Sequence, residues 1–283
     1  MKKILLLLIV AVIAKPMLSQ IDKSMRFGIR ITPAINWMTP DNDKKVQKGG
    51  AVTKMGIGLV TEFKITDAAW FQTGIEYTGA GFKAKYQGSD SAYYLYKDDA
   101  IVKGEIKNDS VNGITPFIYS GGAIHRLTDR KYNIGYINIP ITLKLKTKDI
   151  GGMTYFAQIG GNLFIKTSAR GNDKGEATTY SYNSTTMVTT TSKSTFDLKK
   201  VDIGKSVNLF SACASIGGGA EYNMSGSTSL FFSIHYQHHF MNATKADSGY
   251  LLRSKTENNK TVVTEFSNAV KLRQIVLAIG IVF

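Results

Sequence analysis

Runs in which every second residue is apolar recur eight times along this chain, and few folds can absorb that many. A side-chain period of two belongs to a strand with one greasy face and one polar face. The first run sets Phe27, Ile29, Ile31, Pro33, Ile35 and Trp37 against Gly28, Arg30, Thr32 and Asn36. In the second, Ile57, Leu59, Phe63 and Ile65 oppose Gly56, Gly58, Glu62 and Lys64; in the third, Phe71, Ile75 and Tyr77 oppose Gln72, Glu76 and Thr78. The fourth is the most regular, with Ile137, Ile139, Ile141, Leu143 and Leu145 between Asn138, Pro140, Thr142, Lys144 and Lys146. Four more begin near Tyr155, Phe210, Leu230 and Ile275, the last ending the chain at Phe283. Most of them exceed the strand length of about 5–6 residues usual in soluble proteins. They suit the roughly 9–11 tilted residues that cross a bilayer.

The connections alternate as well. Those at 66–69, 147–152 and 223–227 are short, whereas 38–53, 83–131, 171–206 and 245–271 are long. Outer-membrane barrels place short turns in the periplasm and long loops outside. The expected fold is therefore all-β: an eight-stranded antiparallel transmembrane β-barrel of meander topology, with short periplasmic turns and long extracellular loops. On that topology an outward aromatic stands near the periplasmic end of seven strands: Phe27, Phe63, Phe71, Tyr155, Tyr222, Phe232 and Phe283. Rings with an apolar body settle where hydrocarbon meets head groups. The opposite girdle is thinner, with Trp37, Tyr77 and Phe240.

Residues 1–20 differ from the rest. Lys2 and Lys3 precede an apolar run from Ile4 to Ala14, then Lys15, Pro16, Ser19 and Gln20, the layout of a secretory signal peptide. The expected organisation is thus a signal peptide at 1–20 and one barrel domain at 21–283. Cys213 is the only cysteine, which excludes an internal disulfide framework. Twenty-seven glycines against five prolines suit twisted strands and tight turns. The formal charge of +14 is compatible with anionic sugars or lipid head groups. No nucleic-acid recognition motif is present, and nucleic acid is not an expected partner.

A barrel of eight strands is filled by its own side chains. The inward set comprises Arg30, Glu62, Lys64, Glu76, Lys144, Lys166, Glu221 and His235, and its mixed signs predict a structural ion-pair network. His235, His238 and His239 crowd the seventh strand, but parity sends His238 outward and no metal-ligand spacing follows. Ser233 and Glu221 raise the alternative of a lipid-modifying enzyme at the rim. The expectation is no catalytic, cofactor or metal site, with Cys213 a packing residue.

The segment Tyr136-Ile137-Asn138-Ile139-Pro140-Ile141-Thr142-Leu143-Lys144 resembles a strand recurrent in the PorT-like family of outer-membrane β-barrels. Gly160-Gly161 and Gly217-Gly218-Gly219 look like that family's glycine-rich fifth and sixth strands. The ending, Ile279 to Phe283, resembles the terminal strand that barrel-assembly machinery recognises. The resemblance implies a bacterial outer-membrane location, with membrane lipid, the assembly machinery and envelope proteins as partners. The expected function is non-enzymatic, with loops that bind a ligand or partner; an accessory role in protein secretion or envelope assembly is the alternative. The Thr- and Ser-rich stretch 177–195 is expected to prolong two strands as a hairpin above the membrane.

Overall fold

A computed structural model of the chain describes residues 24–41, 46–86, 92–103, 122–183, 188–257 and 260–283; the expected signal peptide lies outside them. The strands are β1 (Met25–Ile31), β2 (Ala34–Pro40), β3 (Gln47–Lys48), β4 (Val52–Lys54), β5 (Gly56–Lys64), β6 (Ala69–Lys85), β7 (Tyr93–Lys97) and β8 (Ala100–Val102). They continue with β9 (Ala123–Lys146), β10 (Met153–Asn183), β11 (Val188–Asp202), β12 (Phe210–Ser225), β13 (Thr228–Asn242), β14 (Leu252–Glu257), β15 (Lys260–Glu265) and β16 (Val270–Val282). Eight of these close a ring through antiparallel ladders. β1 pairs with β5, then β5 with β6, β6 with β9, β9 with β10, β10 with β12, β12 with β13, and β13 with β16. The seam is β16 on β1, with Gly28 opposite Val282 and Ile31 opposite Ile279. β2 prolongs the first stave and stays on β16 from Val276 to Val270.

The side chains follow the alternation. Ile29, Ile57, Leu59, Ile75, Ile141, Ile159, Ile216, Ile234 and Ile279 stand exposed on the outer wall, while Arg30, Glu62, Gln72, Glu76, Lys144, Gln158 and Glu221 are buried inside. A continuous apolar wall around a polar interior is stable only in hydrocarbon. No described helix is long and apolar enough to cross a membrane.

Several strands run far beyond the alternating segments. β6 runs to Lys85 and β9 starts at Ala123, so the connection expected at 83–131 is strand at both ends, and β10 reaches Asn183, into the one expected at 171–206. Above the belt the sheet reverses its dressing. On β9, Ile137 faces out and Asn138 in, but Tyr136, Ile134 and Tyr132 face in and are buried. Those inward residues join Phe82, Met38, Phe164, Leu272 and Phe266 in a core above the spanning segment. Outward apolarity is no longer needed there, so the alternation stops signalling while the ladders continue. The described residues of the stretch 177–195 pair antiparallel, Ala177 opposite Ser194 and Ser181 opposite Thr190. The fifth ring strand is prolonged as its β-branched content suggested, whereas β11 is parted from β12 by the 3-10 turn Gly204–Ser206.

One residue tests the seam. A Cβ on Gly280 would meet Ile29 O at 2.3 Å and the Phe231 ring at 2.7 Å. Gly280→Val is expected to lower stability by about 1–3 kcal/mol through overpacking. The check is the urea midpoint of refolded protein in detergent micelles; an unchanged midpoint would contradict so tight an approach.

Candidate functional site: a charged lumen beneath an aromatic cap

Inward parity brings charged side chains from distant strands into two layers. At the short-turn end, β1, β5, β9 and β12 supply Arg26, Glu62, Lys144, Lys146 and Glu221. Lys144 Nζ lies 2.6 Å from Glu62 Oε1 and also binds Glu221. Arg26 bridges the same two carboxylates, 3.0 Å from Glu221 and in direct contact with Glu62. Lys146 completes the set at 3.3 Å and 3.1 Å. Trp70 lies under both Arg26 and Lys146, with centroid distances of 4.9 Å and 4.5 Å. Three cations thus share two carboxylates inside a wall of low dielectric. In such a place each charge depends on its partners.

The second layer sits higher. Arg30 donates to Glu76 at 2.7 Å, Asn138 donates to Glu76 at 3.3 Å, and Thr32 bonds the other Glu76 oxygen. Gln158 donates to Gln72 across the lumen. His235 lies 2.8 Å from Ser233, and Glu221 commits its oxygens to the cations below. His239 meets Ser211 at 3.0 Å, and Cys213 receives Asn162 at 3.5 Å. The gap bordered by Arg30, Glu76, Asn138 and His235 is ≈ 30 Å³, on the order of one water molecule.

Six of the eight residues read from the sequence as the lumen network are in these layers. Two are elsewhere. Lys64 is exposed at the short-turn rim and pairs with Asp67 at 2.6 Å, because its strand ends there and its amine reaches water. Lys166 stands at the other rim and donates to the carbonyls of Gly204 and Val207, fastening the connection after β11. Arg26 escaped the sequence reading, and Lys146, on the polar face of the fourth run there, was not counted in the network; extending inward parity one position past the last apolar residue finds both. Phe27, Phe63, Phe71, Tyr155, Tyr222, Phe232 and Phe283 all lie on the outer wall at the short-turn end, with Phe63 and Phe71 cross-strand partners 6.3 Å apart. At the opposite level Trp37 packs 6.5 Å from Tyr236.

Above the belt a cap closes the ring. Arg130 and Asp173, both fully buried, form a two-pronged pair at 2.7 and 2.6 Å. Burial works against the Arg130 charge, and the Asp173 carboxylate more than offsets it. Tyr132 stacks on Phe82 at 4.3 Å and receives Asn268 at 2.7 Å, so the connection between β15 and β16 is tied to β9. His125 is sandwiched between Tyr96 at 4.7 Å and Phe196 at 4.4 Å, joining β7, β9 and β11. Burial lowers its pKa, and nearby Asp173 only partly opposes this.

Two outcomes follow from these layers. Glu221→Gln or Glu62→Gln leaves three cations on one carboxylate, and each is expected to cost about 3–5 kcal/mol. Lys146→Met leaves two against two and is expected to cost much less; equal losses in urea titrations would refute the charge count. In the cap, the depressed His125 pKa means the unfolded cap binds the proton more readily. The cap is therefore expected to be most stable above pH ~6.5 and to loosen as pH falls below it. Hydrogen-exchange protection at β7, taken relative to the intrinsic amide rate at each pH, should fall at pH ~5 and lose that dependence in His125→Phe.

Residues 18–245 match the family model of the outer membrane protein beta-barrel domain. No curated protein matches the sequence. Among solved structures, Neisserial surface protein A (NspA) is 11% identical with a TM-score of 0.36, over 90% of this chain and 95% of that one. OprG from Pseudomonas aeruginosa is 11% identical at a TM-score of 0.33, over 92% and 95%. The outer membrane protease OmpT from Escherichia coli is 8% identical at 0.31, over 93% and 97%. Scores of this size do not bear on what the chain does. The family match spans most of the sequence: this chain belongs to the outer membrane protein beta-barrel domain family and is a protein of the bacterial outer membrane.

Proposed function

We propose that this is a non-enzymatic barrel of the PorT-like kind, an up-and-down meander with its short turns in the periplasm, whose long extracellular strands bind a ligand or protein partner. The observation that carries the reading is the second core above the belt. Connecting two strands takes a few residues. Here the connections instead contribute fully buried Tyr94, Phe266 and Leu251 to a cap held by Arg130 and Asp173, so their shape is fixed. A distal hairpin projects beyond it, with Thr179, Ser181, Thr190 and Ser192 exposed. Fixed shape under an exposed polar tip is what a recognition surface requires. Membrane lipid around the belt and the assembly machinery at the strand ending in Phe283 are the remaining proposed partners.

The filled lumen supports a barrel that does not conduct. Planar-bilayer recordings are expected to show no discrete steps, and regular steps would replace this reading with a channel.

One observation favours a second reading, an accessory subunit engaged from the periplasm. A cavity of ≈ 400 Å³ opens at the short-turn mouth, lined by Arg26, Trp70, Lys146 and Glu221 among others. Photo-crosslinkers at Tyr180 and Thr191 on the hairpin, and at Asn223 on the opposite rim, separate the two in intact cells. Adducts from the hairpin are expected. Adducts confined to Asn223 would overturn loop recognition in favour of the periplasmic partner.

A further inference from the structure

The outer wall where β6, β9 and β10 rise above the apolar belt is neither greasy nor charge-balanced. Tyr77 and Ile137 are cross-strand partners on the outer face at the top of the belt. In the next outward row, Gly79 stands opposite Gly135, and Gly135 stands opposite Ser168. The row after that pairs Gly81 with Asn133, and the one above it pairs Lys83 directly with Lys131. Like charges opposite each other on a sheet are destabilising unless something neutralises them.

A third lysine joins them. Lys54 runs across the glycine rows, its side chain 3.4 Å from the Cβ position of Gly79 and 3.3 Å from that of Gly81. Its amine donates to Asn133 Oδ1 at 2.7 Å, a neutral acceptor. Beneath it three hydroxyls converge. A Cβ built on Gly135 would lie 2.8 Å from Tyr77 Oη, 2.8 Å from Ser168 Oγ and 2.9 Å from Thr167 Oγ1. The charged groups around this spot do not cancel the surplus. Arg170 is taken by Asp202 at 2.5 Å, and Lys174 lies 3.5 Å from Asp197. Asp129, the carboxylate of the row above, stands between Lys85 and Lys174.

We propose that this outer-face patch, with the hydroxyls of Tyr77, Thr167 and Ser168 below and Lys54, Lys83 and Lys131 above, binds the phosphate of a membrane-lipid head group. Hydroxyl and ammonium donors satisfy a phosphate oxygen cluster, which would rest over the hydroxyls beside Gly135 and next to the Lys54 amine, since Lys54 already covers Gly79 and Gly81. The lipid source follows from position. Apolar Ile57 and Ile137 continue the same wall below, where acyl chains of the same molecule would lie. With the long connections outside, the lipid belongs to the outer leaflet. Head-group attraction is worth about 1 kcal/mol per lysine near a membrane surface, so the pair Lys83 and Lys131 accounts for a change on the order of tenfold or more.

The test uses the full chain in detergent micelles, titrated with bisphosphorylated lipid A, with the same lipid lacking both phosphates, and with inorganic phosphate, each read by native mass spectrometry. The variants are Lys83→Gln/Lys131→Gln and Tyr77→Phe, first shown to be folded by heat-modifiable gel migration. Wild type is expected to retain the phosphorylated lipid at least tenfold more than its dephosphorylated form, and the double lysine variant to lose that preference. Tyr77→Phe should lose part of it. Equal retention by wild type and the double variant, or equal retention of both lipids, overturns the site. Displacement of the lipid by inorganic phosphate at equal concentration would show recognition of free phosphate and overturn the lipid assignment. Should the double variant misfold, Lys54→Gln carries the same comparison.

Discussion

Hydrocarbon offers a peptide group nothing to hydrogen-bond, so a sheet that crosses it has to satisfy both of its own edges. In this chain the demand is met where β16 returns to β1, with Phe27 and Phe283 exchanging amide and carbonyl at 3.0 and 2.7 Å. Once the ring is shut, the outward positions must be apolar and the inward ones must fill a narrow tube. The buried charges follow from that. Glu62 and Lys144 lie almost wholly away from water, and their geometry with Glu221, Arg26 and Lys146 is what makes burial tolerable.

The same wall serves two environments in succession. Below Tyr136 and Ile137 the lipid side is apolar and the inside polar. Above them the inside holds Phe82, Tyr132 and Phe164, and the outside carries Lys83, Lys131 and Asn133. A single strand such as β9 therefore contributes to a membrane wall along part of its length and to a water-soluble core along the rest. The aromatic band at the short-turn end and the lysines at the other bracket the belt, and moving the barrel either way would push one set into hydrocarbon.

The eight crossing strands were legible because two immiscible surroundings enforce a strict period of two over their whole length. Their continuations were not, since above the bilayer either face can be polar and Tyr132 or Asp173 gives no hint of its direction. Lys64 and Lys166 show the same boundary effect. Parity alone places both inward, yet a long side chain at the end of a stave can turn to Asp67 or to loop carbonyls. Arg26 and Lys146 lay one step beyond the last apolar residue and were within reach of the same rule. The ratio of three cations to two carboxylates was not, because it depends on which strands are neighbours around the ring.

The cap has an implication for how a finished molecule can be recognised. Tyr94 on β7, Tyr132 on β9, Asp173 on β10 and Asn268 between β15 and β16 meet around one centre. The centre lacks Asn268 until the segment just before β16, the stave that shuts the ring, is in place, so the surface above it forms together with circularisation. An antibody fragment raised against the surface would thus tell matured barrels from stalled precursors on the living cell.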